Sequence, residues 1–230
     1  MTLPSPYAQI MAKPGIPLED DRAALRRRLV EGAERMLARH GPDKLSLREL
    51  AREAGISTMG IYTLFGGKDG LMQALYFEGF TRLYRHALTA EDHDDPVGWL
   101  WQALFAYRRF ALANSALYRL CFGGEQRFVP VPRDQRFGTL TVPDQGAYAS
   151  YQSLMDAFAE GQRCGAIVAG QSADVLAHLT WAIMHGLVSL EIAGYVDPGH
   201  AEARFRESAA MFVRAIVVDP SRVDALLASA

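Results

Sequence analysis

At 230 residues, half of them hydrophobic, the chain can bury a sizeable core in one or two domains, which excludes a disordered protein. A net charge of −2 excludes a broad basic nucleic-acid-binding face, and two cysteines exclude a disulfide framework. No run of about 18 uncharged apolar residues is found, so neither a transmembrane helix nor a membrane partner is expected.

The N-terminal MTLPSPYAQIMAKPGIPLEDD lacks the apolar centre of a signal peptide, and with Cys121 and Cys164 read as buried, reduced thiols a cytoplasmic location is expected. Charge is unevenly spread. Residues 1–69 hold eleven Lys/Arg against nine Asp/Glu, and residues 70–230 hold thirteen against seventeen. That asymmetry is mild, so any DNA affinity has to come from a few placed contacts.

Residues 1–19, with Pro4, Pro6, Pro14 and Pro17, read as a flexible arm. A solvated tail outweighs a minor-groove arm there, because only Lys13 could serve it. A first helix is predicted from about Asp20 to His40, with Leu25, Leu29, Ala33, Met36 and Leu37 on its buried stripe. Arg26, Arg27 and Arg28 read as a solvated face, and Gly41-Pro42 ends the helix.

Leu47 to Gly66, LRELAREAGISTMGIYTLFG, is the most informative stretch. Ser46 is a natural N-cap and Glu49 completes a capping-box pattern. Leu47, Leu50, Ala51 and Ala54 recur at helical spacing, and Gly55 stands where the backbone needs a positive φ. Ser57 caps a second helix carrying Ile61, Leu64 and Phe65 inward. The Ala51–Gly55–Ile61 spacing suits a helix-turn-helix, though alone it suits any short helical hairpin equally. Outward on the second helix lie Thr58, Met59, Gly60 and Thr63. Their short side chains let the helix approach base edges, with hydroxyls for bases or phosphates and methyls for thymine. No Arg, Asn or Gln is present for a bidentate purine contact, so specificity is shared with Arg48 or carried by DNA shape.

Gly66-Gly67 breaks the chain before a helix from about Lys68 to Leu88, and EDHDDP (91–96) is an acidic loop. A helix over about Val97 to Asn114 is apolar around most of its circumference, which marks it as enclosed. A short helix spans about Ala116 to Phe122. Residues 123–146, with three prolines and four glycines, form a long loop of a kind often functional or mobile. Further helices cover about Ala147 to Cys164, Ala173 to Tyr195 and His200 to Val217, with one more short helix after Pro220. No strand-like alternation persists. The fold class is therefore all-α: an N-terminal three-helix helix-turn-helix domain (20–67) followed by a larger helical bundle (68–230).

From Arg26 to about Leu75 the chain resembles the DNA-binding domain of the tetracycline-repressor-like (TetR) family of bacterial transcription regulators. Gly55-Ile56-Ser57, Ile61-Tyr62, Phe65, Lys68 and Leu71 follow that family's pattern. Leu64 departs from it, standing where the family usually has His or Tyr. A second likeness, in residues 107–124 and 179–194, is to a subgroup named for Trp, His and Gly, here Trp181, His185 and Gly186. The resemblance implies that Ser46, Tyr62 and Lys68 hold phosphates and that Arg48 reaches bases. Ser46 and Lys68 also sit at helix N-termini, which favour phosphate. For Tyr62 the competing reading is core packing, and for Lys68 a solvated charge. The resemblance further implies a homodimer through the last two long helices, with Gly186 and Gly194 allowing close approach, on a palindromic double-stranded DNA operator. A small apolar or amphipathic effector would release it, with the helix from Lys68 transmitting the change.

Trp101, Phe105, Tyr107, Phe110, Tyr118, Phe122, Met155, Phe158, Trp181 and His185 are individually core residues by default, but as a set they suit an effector pocket. Tyr107, Tyr118, His185, Asn114 and Arg108 could supply its polar groups. Two alternatives remain: a DNA-binding regulator controlled by a protein partner or by nothing, and a helical-bundle enzyme using His185 with Glu191 or Asp156. No nucleophile motif, phosphate loop or metal-ligand spacing supports catalysis, so neither an enzyme nor a cofactor or metal is expected.

Overall fold

The computed structural model of the protein describes residues 19–88, 95–123, 128–129 and 146–228. The expected N-terminal arm, most of the acidic loop and most of the loop over 123–146 lie outside the described residues. The described chain is all-α. Its helices are α1 (Glu19–His40), α2 (Leu47–Ala54), α3 (Thr58–Phe65), α4 (Lys68–Leu88), α5 (Pro96–Ala113), α6 (Ser115–Phe122), α7 (Gly146–Arg163), α8 (Ala173–Ile192), α9 (Ala201–Ile216) and α10 (Ser221–Ala228). They divide into two compact units between Leu71 and Met72, within α4.

In the first unit, α1 buries Leu29, Val30, Ala33, Met36 and Leu37 along one stripe. Leu50 and Ala51 of α2 and Ile61 of α3 complete this core. The turn between α2 and α3 follows from its residues. Gly55 adopts φ 70°, ψ 30°, and its N–H and that of Ile56 reach back to carbonyls of the last turn of α2. The three arginines on α1 are exposed, and two of them also make contacts: the Arg28 guanidinium donates to the Ala54 carbonyl at 3.3 Å, and Arg26 lies over the Phe65 ring. A cation at the α2 C-terminus meets the negative end of the helix dipole.

In the second unit α5 is the central helix, packed by α6, α7, α8, α9 and α10, as its all-round apolarity requires. Trp99, Leu100, Trp101, Leu104 and Phe110 are buried on it. An isolated antiparallel bridge, Ile167 with Val217, ties the α7–α8 turn to the end of α9. α4 meets α6 closely, since a Cβ on Gly79 would stand 2.5 Å from the Cys121 sulfur.

Two expectations change. α8 ends at Ile192, and Gly194 lies past it with φ 78°, so it terminates the helix and offers no helix face to a partner. Cys164 is exposed where a buried thiol was expected, because it falls in the turn after α7; Cys121 is buried. α8 is long and apolar enough, by length and composition, to cross a membrane. Asp174, His178 and Glu191 punctuate it, which is why no uninterrupted apolar run stands out in the sequence. Its apolar residues serve two sides: Leu176, Met184 and Val188 are buried, whereas Val175, Leu179, Ile183 and Leu190 are exposed.

Candidate functional site

The first unit presents outward side chains on the α2–α3 pair. Both helices are capped as their sequences dictate: Ser46 accepts from the Glu49 N–H and Ser57 from the Gly60 N–H, each at 3.3 Å. A capping serine accepts through a lone pair, so the Ser46 hydroxyl proton stays free to donate outward. Ser46, Arg48, Glu49 and Arg52 line a shallow open groove, with Arg48 exposed and Arg52 3.9 Å from Glu49.

On α3 the outward face is Met59, Tyr62 and Thr63, spaced i, i+3 and i+4. Met59 is 70% exposed and Tyr62 52%. Exposure rules out core packing as the role of Tyr62. Its ring instead lies beside Gly67, where a Cβ would stand 3.2 Å from a ring carbon. The quartet expected outward from the sequence is thus corrected. Thr58 and Gly60 are half-buried, and a Cβ on Gly60 would stand 3.2 Å from Ile56 Cδ1. Lys68 is half-buried and donates to the Asp43 carbonyl at 3.3 Å, so it is neither a free surface charge nor uncommitted.

In the second unit the ten candidate pocket residues do not form one group. Tyr107, Tyr118, Phe122, Trp181 and His185 converge from α5, α6 and α8, with ring centroids between 5.1 and 6.4 Å apart for the contacting pairs. Trp101 and Phe105 stack instead toward Phe205 of α9. Phe110 and Phe158 are fully buried, and Met155 is half-buried. Two expected polar contributors have structural work. Asn114 donates to the Phe110 carbonyl and accepts from Arg82, and Arg108 forks onto Glu191 at 2.7 and 2.9 Å.

The converging set holds a chain of polar groups. Tyr107 and Tyr118 hydroxyls are 3.1 Å apart, Tyr118 lies 2.7 Å from His185 Nδ1, and Ser189 lies 3.4 Å from His185 Nε2. In one consistent set of directions Tyr107 donates to Tyr118, Tyr118 to Nδ1, and the Nε2–H to Ser189. It requires a neutral imidazole. Burial, which lowers the His185 pKa, favours the same form. Burial also raises both tyrosines above their ordinary value, so neither ionises near neutral pH.

The family model for the tetracyclin repressor-like C-terminal domain matches residues 100–216, and that for bacterial regulatory proteins of the tetR family matches residues 29–75. The chain belongs to the tetR family of bacterial transcription regulators. Its first unit carries the DNA-binding helix-turn-helix. It is 27% identical over 125 residues to an HTH-type transcriptional regulator of Mycobacterium tuberculosis, covering 53% of each chain. An HTH-type transcriptional repressor of the same organism is 40% identical over 65 residues, 28% of this chain and 35% of that one. The regulator thus spans about half the length, or less, of the curated relatives it matches. A protein of unknown function from Rhodococcus sp. RHA1 shares its structure with a TM-score of 0.70 at 30% identity, over 84% of this chain and 95% of that one. A TetR-family regulator from Haemophilus influenzae shares the fold alone, with a TM-score of 0.60 at 20% identity over 85% and 98%.

A pH prediction follows from His185. Because its pKa is lowered on folding, the unfolded chain takes up a proton there at higher pH than the folded regulator does. The stability it contributes is complete above the unfolded value of about 6.5 and declines as pH falls from there toward the folded value. The melting temperature should fall between about pH 7.5 and 5.5, and fall less in His185→Gln. Equal declines would assign the acid sensitivity to other groups.

Proposed function

We propose that the regulator is a cytoplasmic homodimeric repressor that holds a palindromic operator and is released by a small apolar or amphipathic effector. The observation that carries the operator part is the capped α2–Gly55–α3 pair with Arg48, Met59, Tyr62 and Thr63 outward and accessible. In this reading Ser46, Tyr62 and Lys68 grip phosphates, Arg48 reads a base edge, and half-buried Thr58 and Gly60 keep the helix surface low. One such unit offers too small an area for tight, specific binding, so two copies on two half-sites are needed.

The exposed stripe Val175, Leu179, Ile183 and Leu190 on α8, with exposed Met211 on α9, supports pairing of two copies through these helices. Gly186 lies within that region with open space where a Cβ would be. Ile183→Glu should convert a sedimenting dimer to a folded monomer with unchanged helicity. A persistent dimer would move the interface elsewhere.

The effector part rests on the aromatic walls and the polar chain around Tyr118 and His185, which together suit a mostly apolar guest with one or two hydrogen-bonding groups. The effector acts by its differential affinity for the DNA-competent and DNA-incompetent forms. Mobility shifts on a selected operator, with a panel of apolar and amphipathic compounds, test it. Release by none of them favours control by a protein partner.

Base and phosphate roles separate by specificity. Arg48→Ala should cost about 1–3 kcal/mol at one base pair and relax the preference there. Lys68→Ala should weaken all sequences alike and reduce the salt slope by about one. Uniform loss with Arg48→Ala would reduce it to a phosphate contact.

A further inference from the structure

Apart from the Tyr62 hydroxyl, the outward face of α3 offers DNA mainly apolar groups. From Ile56 to Gly67 the sequence ISTMGIYTLFGG holds no Arg, Lys, Asn, Gln, Asp or Glu, so no side chain there can make a two-point hydrogen bond to a base pair. Two of its hydroxyls are engaged within the unit. Ser57 caps the Gly60 N–H, and Thr63 Oγ1 donates to the Met59 carbonyl at 3.0 Å. With that oxygen turned to its own helix, Thr63 has its methyl left to present. Tyr62 rests its ring beside Gly67. Met59, 70% exposed, has only a thioether chain to offer. Leaving so much apolar surface in water on the outward face of a recognition helix is explained if its partner also presents apolar groups. In the major groove one group fits, the C5-methyl of thymine.

We infer that α3 recognises thymine methyl groups, with Met59 and Thr63 each covering a different methyl in the half-site, while polar base reading is left to Arg48 of α2. This rests on the operator-binding reading above. It specifies the operator's chemistry: each half-site carries two thymines where α3 lies, alongside a base pair read by Arg48.

Thymine can be stripped of its methyl without touching its pairing, by substituting deoxyuridine. The experiment selects duplexes from a random pool with the full-length regulator, then replaces single thymines of the preferred site by deoxyuridine at fixed salt. Two thymines per half-site should stand out, each losing about fourfold in affinity for one buried methyl. Variants assign them. Thr63→Ser keeps the hydroxyl bond and lacks the methyl, so one thymine position should become indifferent to deoxyuridine. Thr63→Val keeps the methyl and should preserve that discrimination. Met59→Ala should erase discrimination at the other position only. Unchanged affinity for every deoxyuridine duplex overturns methyl recognition while leaving operator binding intact. Failure of the folded regulator to enrich any duplex overturns operator binding, and methyl recognition with it.

Discussion

Gly70→Ala should abolish DNA binding and destabilise the helix-turn-helix unit by about 3 kcal/mol. A Cβ at residue 70 would stand 1.7 Å from the Phe65 carbonyl oxygen and 2.8 Å from its carbon. No rotamer relieves an overlap with backbone, so the end of α3 and the start of α4 must separate. α3 has eight residues and ends at Phe65, and Tyr62 rests its ring beside Gly67, so the displacement reaches the outward face. Gly60→Ala is the matched control. It meets only the flexible end of Ile56, at 3.2 Å, and gains up to about 1 kcal/mol of helix propensity. Thermal melts should place it within about 0.5 kcal/mol of the parent once the Ile56 adjustment offsets that gain. A Gly70→Ala protein with parental melting and parental operator affinity would show that the α3–α4 junction adjusts freely.

Much of the head was legible in sequence because its signals are local. Ser46, Gly55 and Ser57 are read within three or four residues of the groups they bond, and the structure places each as a cap or a left-handed turn. The helical bundle was legible for the same reason, as apolar periodicity survives without knowledge of partners. What escaped depends on distant chain. Gly70 reads as an ordinary glycine in a helix, and only the position of the Phe65 carbonyl makes it obligatory. The contacts of Arg26 and Arg28 are not readable until α2 and α3 are in place beneath them. Arg108 was a candidate for a ligand contact because nothing in its neighbourhood on α5 announces Glu191, 83 positions later. Residue type alone also could not divide the aromatic set. Tyr107, Tyr118, Phe122, Trp181 and His185 converge, while Trp101 and Phe105 turn toward α9, and that division is set by how α8 and α9 pack around α5.

Arg108→Met should destabilise the second unit by about 1–3 kcal/mol, the cost of leaving one partner of a half-buried, charge-assisted pair without its bonds. Arg108 Nη2 and Nε meet the two Glu191 carboxylate oxygens at 2.7 and 2.9 Å, and the side chains are only 12% and 14% exposed. The forked geometry gives two charge-assisted bonds where a lysine could give one. The same guanidinium lies over the Phe205 ring and 3.7 Å from Glu202, so one side chain of α5 engages both α8 and α9. Methionine keeps most of the stem's packing and removes the charge, leaving the Glu191 carboxylate sequestered without its partner. Glu191→Gln should cost less, since Arg108 keeps Glu202 and remains able to donate to the amide oxygen. Arg108→Met with Glu191→Met should recover most of the loss, because exchanging both charges for apolar groups also removes both desolvation penalties. Denaturant melts of the two Met singles and the double give the coupling directly. A cost below about 1 kcal/mol for Arg108→Met would place the pair with exposed ion pairs. It would then contribute little to holding together the helices that carry the proposed dimer stripe.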